Sequence, residues 1–348
     1  MKRALTIVLA FAALVAVALV AGRAQAAPAA STDTNVTGAG ASFPFPLISK
    51  WIPELGKAYG INVTYAPTGS GAGIAAITAR TVDFGASDAP LSSSQLDACK
   101  GCVQIPWALS ATSIPYNLPG LNGRLKLDGA TLANIYLGQI TNWNDPAIRR
   151  MNQGLNLPDL KITPVYRSDG SGTTYNFTEY LSSASPAFKS GVGFNTSVSW
   201  KTGVGARGSA GVTGVVRQTA GALTYVDVAY SIANKLQFAT IRNKAGKFAT
   251  PGLRGIQQAV SQLPKKVTNL SQLGIVNPPA KAGKLAYPIV TFTYVILPTG
   301  SSKAADLRKM VYWAVTRGQK FGPALLFQPL PTPVQAFAFR ELKKIQAT

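Results

Sequence analysis

Residues 61–88 read INVTYAPTGSGAGIAAITARTVDFGASD, and this stretch decides the fold class of the 348-residue chain. Residues 61–65 alternate apolar and polar side chains and predict a strand, residues 74–80 predict a short helix, and residues 82–85 predict a second strand. A glycine-rich turn at 68–73 separates the first strand from the helix. The pattern indicates a βαβ unit with loops of the ligand-binding kind at the strand ends, and hence an α/β fold.

The alternation of strands and helices continues on both sides of this unit. The spacing of apolar residues predicts helices over 47–59, 127–137, 175–181, 304–315 and 333–345, and strands over 161–166, 223–226 and 289–297. Residues 27–36 are polar and predict a flexible start. A chain of this length is long enough for two domains of ordinary size.

The N-terminus has the three parts of a secretory signal peptide. Residues 1–3 are basic at their second and third positions, residues 4–20 are apolar, and Ala24-Gln25-Ala26 is a small-x-small cleavage site. The alternative is an uncleaved membrane anchor, because the apolar run is nearly long enough to span a bilayer. The cleavage site favours removal of residues 1–26, which predicts a soluble protein outside the cytoplasm.

The charge balance points to an anionic partner. The chain has 34 Lys and Arg against 13 Asp and Glu, a formal net charge of +21. Nucleic acid, an anionic surface and a small anion are the three classes of partner that such a balance attracts. The basic residues are scattered and are not interleaved with aromatic residues, so we expect a small anion and no nucleic acid.

The absence of histidine excludes several classes of enzyme. Ser-His-Asp and Cys-His catalysis and the usual zinc hydrolase sites all need this residue. Cys99 and Cys102 form a C-x-x-C pair, but two thiolates without histidine or a second pair cannot complete a structural zinc site. In an oxidising compartment we expect them to form a local disulfide. We therefore expect no enzyme activity, no metal and no cofactor.

Three segments place small residues and hydroxyls at the start of a predicted helix: 37–44, 69–71 and 167–174. A helix start has free backbone N–H groups and a partial positive charge, which suit an anion. Arg167 adds a planar, permanently charged fork for an oxyanion. Each segment alone is also typical of an ordinary turn or helix cap. Their combination favours an anion site.

Several segments resemble the periplasmic phosphate-binding proteins of phosphate ABC transporters. They are TGAGASFP (37–44), TVDFGASDAPLS (81–92), IYLGQITNWNDP (135–146), RSDGSGTT (167–174) and GALTYVD (221–227). The resemblance implies a two-lobed periplasmic-binding-protein fold of type II, with phosphate in the interdomain cleft. It implies a discontinuous domain I (27–113 plus 292–348), a domain II (114–291), a monomeric protein, and delivery of phosphate to permease subunits in the inner membrane.

The resemblance also assigns a role to each site residue. Asp88 accepts the proton of bound phosphate and so rejects sulfate, while Arg167 pairs with the phosphate oxygens and is held in place by Asp169. The implied hydrogen-bond donors to phosphate are Ser42, Phe43, Ser70, Ser171, Gly172 and Thr173.

The chain departs from the family pattern at three positions. Ser42 stands where threonine is frequent, Gly71 where a second serine is frequent, and Ser209 where asparagine is common. The Cys99–Cys102 pair is not a general feature of the family. Two other functions remain open at this point: an exported phosphatase related to phosphate-binding proteins, and a basic protein that binds surfaces or polyanions.

Overall fold

Twelve strands and twelve α-helices alternate along residues 34–348, the part of the chain that this computed structural model describes. The predicted signal peptide, residues 1–26, lies outside the described residues. The strands are β1 (Thr34–Gly40), β2 (Ile61–Ala66), β3 (Phe84–Ser87), β4 (Cys102–Ser113), β5 (Lys126–Leu127), β6 (Thr163–Arg167), β7 (Val204–Ala206), β8 (Ala222–Leu223), β9 (Val226–Asp227), β10 (Thr240–Arg242), β11 (Phe248–Ala249) and β12 (Val290–Pro298).

Three of the helices, those that begin at Phe45, Ser70 and Gly172, follow the strands that lead into the three predicted ligand loops. The helices are α1 (Phe45–Tyr59), α2 (Ser70–Thr78), α3 (Ser93–Cys99), α4 (Gly129–Tyr136), α5 (Pro146–Met151), α6 (Gly172–Ala184), α7 (Pro186–Gly191), α8 (Gly208–Gln218), α9 (Val228–Ala233), α10 (Leu253–Val260), α11 (Ala304–Val315) and α12 (Thr332–Leu342). Short 3₁₀ helices cover Leu270–Leu273, Ala280–Ala282, Arg317–Phe321 and Pro323–Leu325.

The largest sheet has six strands in the order β2-β1-β3-β12-β4-β9. Strand β1 is parallel to both β2 and β3, so the two strands of the predicted βαβ unit flank β1 and do not pair with each other. The prediction of a flexible start was wrong for residues 34–36, because β1 begins at Thr34 and these residues pair with β2. The carboxyl ends of three parallel strands therefore meet at one edge of the sheet.

A second set of parallel strands lies elsewhere in the chain. Strand β6 is central in a three-stranded sheet, and it is parallel to β7 and to β8. Strand β6 ends at Arg167 and β7 ends at Ala206, opposite each other in the register. The loops that lead into α6 and α8 therefore leave this sheet side by side. The other small sheet, β11-β10-β5, contributes none of the predicted site residues.

Helices α1 and α2 pack closely on the large sheet. Helix α1 buries Leu47, Ile48, Trp51 and Leu55, which share one face as their spacing predicts. Helix α2 lies so close to β1 that a Cβ atom at Gly73 would come within 2.4 Å of the Gly40 Cα. This contact sets the position of the first turn of α2 above the end of β1.

The predicted division into two domains stays a prediction. Five of the six strands of the large sheet lie within residues 34–113 and 290–298, and the sixth is the two-residue strand β9. The two small sheets lie within residues 126–249. Strands β4 and β12 pair with each other where the chain passes between the predicted domains, with Val290 opposite Ala111 and Phe292 opposite Leu109. Within residues 34–348, the chain has no helix with the length and apolar character needed to cross a bilayer.

Candidate functional site

Three helix starts lie close together, after the carboxyl ends of β1, β2 and β6. Ser42 precedes α1, Ser70 is the first residue of α2, and Ser171 is the N-cap of α6. All three serines are buried. Each predicted loop is therefore followed by a helix, and the three loops supply the positive ends of three helix dipoles to one region.

Ser70 joins the second loop to the third. Its Oγ accepts hydrogen bonds from the backbone nitrogen of Asp88 at 3.3 Å and from that of Gly172 at 3.0 Å. A hydroxyl oxygen has two lone pairs and one proton. Since both lone pairs are used, the Ser70 hydroxyl can only donate to a further group. Beside it, the backbone nitrogen of Gly71 donates to the Gly170 carbonyl at 2.9 Å.

Arg167 is fixed by a carboxylate two residues further along the chain. It is 4 % exposed, and its Nε and Nη2 atoms both donate to the Asp169 carboxylate, the former at 2.7 Å. Asp169 also accepts the backbone N–H of Gly208 at 3.0 Å. Although burial raises the pKa of Asp169, the hydrogen bonds and charge of Arg167 outweigh it and hold this pKa below its usual value. The guanidinium keeps N–H groups on Nη1 and Nη2 for another oxyanion.

Asp88 is buried close to Arg167. Its backbone nitrogen donates to Ser70, and its carbonyl accepts from the Asn176 side chain at 2.9 Å. Burial raises the pKa of this carboxyl to about 7, although the hydroxyls of Thr293 and Thr173 and the charge of Arg167 act in the opposite direction. A carboxyl with this pKa can serve as a proton acceptor near neutral pH.

The buried oxygens Asp88 Oδ1, Thr173 Oγ1 and Thr293 Oγ1 have no hydrogen-bond partner among the described residues. Both hydroxyls lie near enough to Asp88 to lower its pKa without reaching hydrogen-bond geometry. Buried polar atoms without partners are rare in folded proteins. Their concentration around the Asp88 carboxyl makes this region a candidate site for polar contacts with a ligand.

Ser42 and Phe43 complete the site from the first loop. The Ser42 Oγ lies 2.7 Å from the Ser209 Oγ and accepts the Ser209 backbone N–H at 3.1 Å. The Phe43 ring is fully buried and packs edge-to-face on Phe327, with 6.3 Å between the ring centroids. Only the backbone of Phe43 can therefore serve a ligand in this region.

The structure brings the predicted site residues of the first, second and third loops together. Ser171 also caps α6, since its Oγ accepts the backbone N–H of Thr174 at 3.2 Å. Tyr225 supports the same loop, because its hydroxyl accepts the Arg167 backbone N–H at 3.0 Å and pairs with the Thr174 hydroxyl at 2.7 Å.

Sequence reasoning missed Thr293. This residue lies in β12 among apolar side chains, where no local motif singles it out. The pairing of β12 with β4 shifts register between Thr293 and Tyr294, opposite Pro106 and Ala108. A β-bulge re-aims side chains at such a position. Asn176 was also missed, and only its place one turn after Gly172 on a helix could have indicated it.

Cys99 and Cys102 lie outside this site. The structure joins them in a disulfide between the end of α3 and the start of β4. The Arg80 guanidinium donates to both sulfur atoms and to the Cys99 carbonyl at 2.8 Å. Within the described part of the chain, no cluster of three or more Cys, Asp or Glu side chains is placed to hold a metal ion.

Comparisons with known proteins show which proteins this chain is similar to. The family model described as a PBP superfamily domain matches residues 25–316. The phosphate-binding protein PstS of Xylella fastidiosa (strain Temecula1) is 41% identical over 294 residues, which cover 83% of this chain and 80% of that protein. The PstS of Pasteurella multocida is 38% identical over 311 residues, 88% of this chain and 87% of that protein.

Solved structures show the same fold. A high-affinity periplasmic phosphate-binding protein, solved with phosphate bound, superposes with a TM-score of 0.69 at 21% identity, covering 88% of this chain and 93% of that chain. A phosphate-binding protein from Stenotrophomonas maltophilia superposes with a TM-score of 0.66 at 22% identity, covering 87% and 92%. At these identities the superpositions establish the fold alone.

Proposed function

Because this chain belongs to the PstS family of phosphate-binding proteins within the PBP superfamily, we propose that it binds inorganic phosphate in the periplasm and delivers it to a phosphate ABC transporter. The observation that carries the proposal is the presence of Arg167 and Asp88 together in one buried site, beside three helix starts. A guanidinium and several N–H and O–H donors suit a dehydrated oxyanion, and one carboxyl suits an oxyanion that carries a proton.

Asp88 gives the site its selectivity in this proposal. Phosphate at neutral pH always keeps at least one proton, which it can donate to the Asp88 carboxylate. Sulfate has no such proton, so its oxygens would face a carboxylate with no hydrogen between them. Leaving a buried charged acceptor unpaired costs at least about 1–3 kcal/mol, and a factor of ten in affinity corresponds to about 1.4 kcal/mol. We therefore expect phosphate to be preferred over sulfate by one to several powers of ten.

Two lobes would close around the ion. With domain I at 27–113 plus 292–348 and domain II at 114–291, several direct contacts at the candidate site join the lobes. They include Ser70 with Gly172, Gly71 with Gly170, Asp88 with Asn176, and Ser42 with Ser209. Phosphate would add contacts to Ser70 and Asp88 from one lobe and to Arg167 from the other. Because only the closed form makes both sets of contacts, binding favours closure.

The two other functions considered from the sequence receive less support. An exported phosphatase needs a nucleophile with a base or a set of metal ligands, and the chain has no histidine. The matching relatives are named as binding proteins and not as enzymes. A polyanion-binding protein needs an exposed basic surface, whereas Arg167 is buried and paired with Asp169.

Equilibrium dialysis of the purified, phosphate-stripped protein with radiolabelled phosphate tests the binding step. We expect saturable binding at one site per chain, which an excess of sulfate does not displace. Binding of DNA or polyphosphate that falls steeply with salt, without saturable phosphate binding, would instead support the polyanion function. Delivery is tested by adding phosphate-loaded protein to the cognate transporter in proteoliposomes, where phosphate uptake must depend on the added protein.

A further inference from the structure

Ser209 links the first loop to the start of α8. It lies in the first turn of α8 and is fully buried. Its Oγ is 2.7 Å from the Ser42 Oγ, and its backbone nitrogen donates to the same Ser42 oxygen at 3.1 Å. The Arg167 Nη1 points at the Ser209 Oγ from a distance of 3.5 Å. Ser209 therefore stands between the guanidinium and the hydroxyl of Ser42.

The contacts allow a proton order that runs from Arg167 through Ser209 to Ser42, and an oxyanion that accepts from the Ser42 hydroxyl favours this order. A guanidinium has no acceptor, so Arg167 can only donate to the Ser209 Oγ. The Ser209 hydroxyl is then free to donate to the Ser42 Oγ, which also accepts the Ser209 backbone N–H. Both lone pairs of the Ser42 oxygen are used in this way. The single Ser42 proton must then be donated to another group, as is the case for Ser70.

The rest of Ser42 is held equally firmly. Its carbonyl accepts the Tyr230 hydroxyl at 2.8 Å, and the preceding carbonyl, that of Ala41, accepts the Tyr65 hydroxyl at 2.7 Å. Neither Tyr230 nor Tyr65 contacts the Ser42 hydroxyl in these hydrogen bonds. The backbone at Ser42 therefore stays in place whether or not the Ser209 hydroxyl is present, and only the direction of the Ser42 proton depends on Ser209.

We propose that Ser209 is a positioning residue for phosphate, which acts through Ser42 by directing the Ser42 proton toward the ligand. The inference rests on the proposed function. In it, Ser42 and Ser70 are both restricted to donating, so the site offers hydroxyl protons from the first two loops and a single proton acceptor, Asp88. Such a set of groups matches an oxyanion with one proton.

A double-mutant cycle on phosphate affinity tests this inference. Ser209→Ala, Ser42→Ala and the double variant are compared with the unsubstituted protein by titration calorimetry with inorganic phosphate. We expect each single substitution to weaken phosphate binding about tenfold, about 1.4 kcal/mol, and the double variant to be no weaker than Ser42→Ala alone. Losses of binding free energy that are not additive are typical of residues that act through each other.

Ser231→Ala is the matched control. Ser231 is also fully buried and its Oγ pairs with that of Ser113 at 2.8 Å, so its removal has the same local cost outside the site. We expect Ser231→Ala to lower the unfolding temperature as Ser209→Ala does, but to leave phosphate affinity unchanged. Two outcomes would overturn this inference and leave the proposed function standing. One is additive losses in the cycle, about a hundredfold for the double variant; the other is an unchanged affinity in Ser209→Ala. Failure of the unsubstituted protein to bind phosphate would instead overturn the proposed function as well.

Discussion

The hydroxyl oxygen of Ser70 lies 3.0 Å from the backbone nitrogen of Gly172, 102 positions further along the chain. This bond joins the start of α2 to the start of α6, and it leaves the Ser70 proton pointing to a third group. The same two residues lie next to Asp88, whose backbone nitrogen donates to the Ser70 oxygen. One hydroxyl thus joins a helix start from each predicted lobe to Asp88, the residue that we propose accepts the ligand's proton.

Gly172→Ala should prevent the two loops from closing on each other. A Cβ atom at Gly172 would come within 2.7 Å of the Ser70 Oγ and of the Asp88 backbone nitrogen. Relief of this overlap requires the loops to separate, so we expect phosphate affinity to fall at least about a hundredfold, about 2.7 kcal/mol. The measurement is titration calorimetry with phosphate.

Gly214→Ala is the control for that substitution. Gly214 lies in α8, and a Cβ atom there would meet nothing within 4 Å. Alanine in a helix is about 1 kcal/mol more favourable than glycine, so this variant should be slightly more stable with unchanged affinity. Equal losses of affinity in both variants would contradict the close approach at Gly172.

Arg167→Ala should weaken phosphate binding by at least an order of magnitude. The substitution removes the charged donor and leaves Asp169 buried without its partner. Arg167→Lys should recover little of the lost affinity. The planar guanidinium can bind Asp169 with one edge and the ligand with another, whereas a lysine ammonium is a compact charge without two such edges. Arg150, which is exposed on α5, provides the matched control. Phosphate affinity that is equal in Arg167→Ala and Arg150→Ala would remove Arg167 from the site.

Asp88→Asn should reduce the discrimination between phosphate and sulfate. The amide is neutral and can donate to sulfate, so sulfate should gain affinity, while phosphate loses the acceptor for its proton. We expect the ratio of the two dissociation constants to shrink by at least about tenfold, about 1.4 kcal/mol. Calorimetric titrations of each anion measure the ratio, and an unchanged ratio would show that Asp88 has no part in selectivity.

The stability of the ligand-free protein should report the pKa of Asp88. This pKa is raised from 3.8 to about 7 by burial. Between these two pH values the folded state binds a proton that the unfolded state has lost, so the unfolding free energy falls as the pH rises through this window. Asp88→Asn has no such proton. We therefore expect its stability, measured relative to the unsubstituted protein by urea unfolding, to rise by a few kcal/mol in all (on the order of 1.4 kcal/mol per pKa unit) between about pH 4 and pH 8.

Asp227 is a second buried carboxyl that could make the unfolding free energy fall as the pH rises. It is fully buried, and burial also raises its pKa, while Ser110 and the Ala229 backbone donate hydrogen bonds to it. Both proteins contain Asp227. Most of its contribution to the pH dependence of stability therefore cancels when the two proteins are compared, and the remaining difference reports Asp88. A stability difference that stays constant from pH 4 to pH 8 would mean that Asp88 is ionised throughout.

The loops of the site could be predicted from the sequence because glycine and hydroxyl residues mark helix starts locally. The segments at 37–44, 69–71 and 167–174 each lead into a helix, at Phe45, Ser70 and Gly172. The bounds of the elements were harder to predict. Helix α2 begins at Ser70, four residues before the predicted start, since its first turn is made of small residues without apolar periodicity.

The strands that pass between the predicted lobes could not be placed from local pattern. Strand β4 spans twelve residues, Cys102–Ser113, and contains Pro106. A proline argues against a central strand in a local pattern, but the register shift opposite Thr293 accommodates it. The contribution of Thr293 to the site follows from that pairing, and so could not be read from β12 alone. Ser209 likewise acquires its role only from the distance to Ser42.

The most direct test of the central claim is a pair of calorimetric titrations on the phosphate-stripped protein at pH 8, one with phosphate and one with sulfate. The account predicts saturable binding of phosphate at a single site and sulfate binding weaker by at least about tenfold, about 1.4 kcal/mol. Equal affinity for the two anions, or no saturable binding of phosphate, would contradict it.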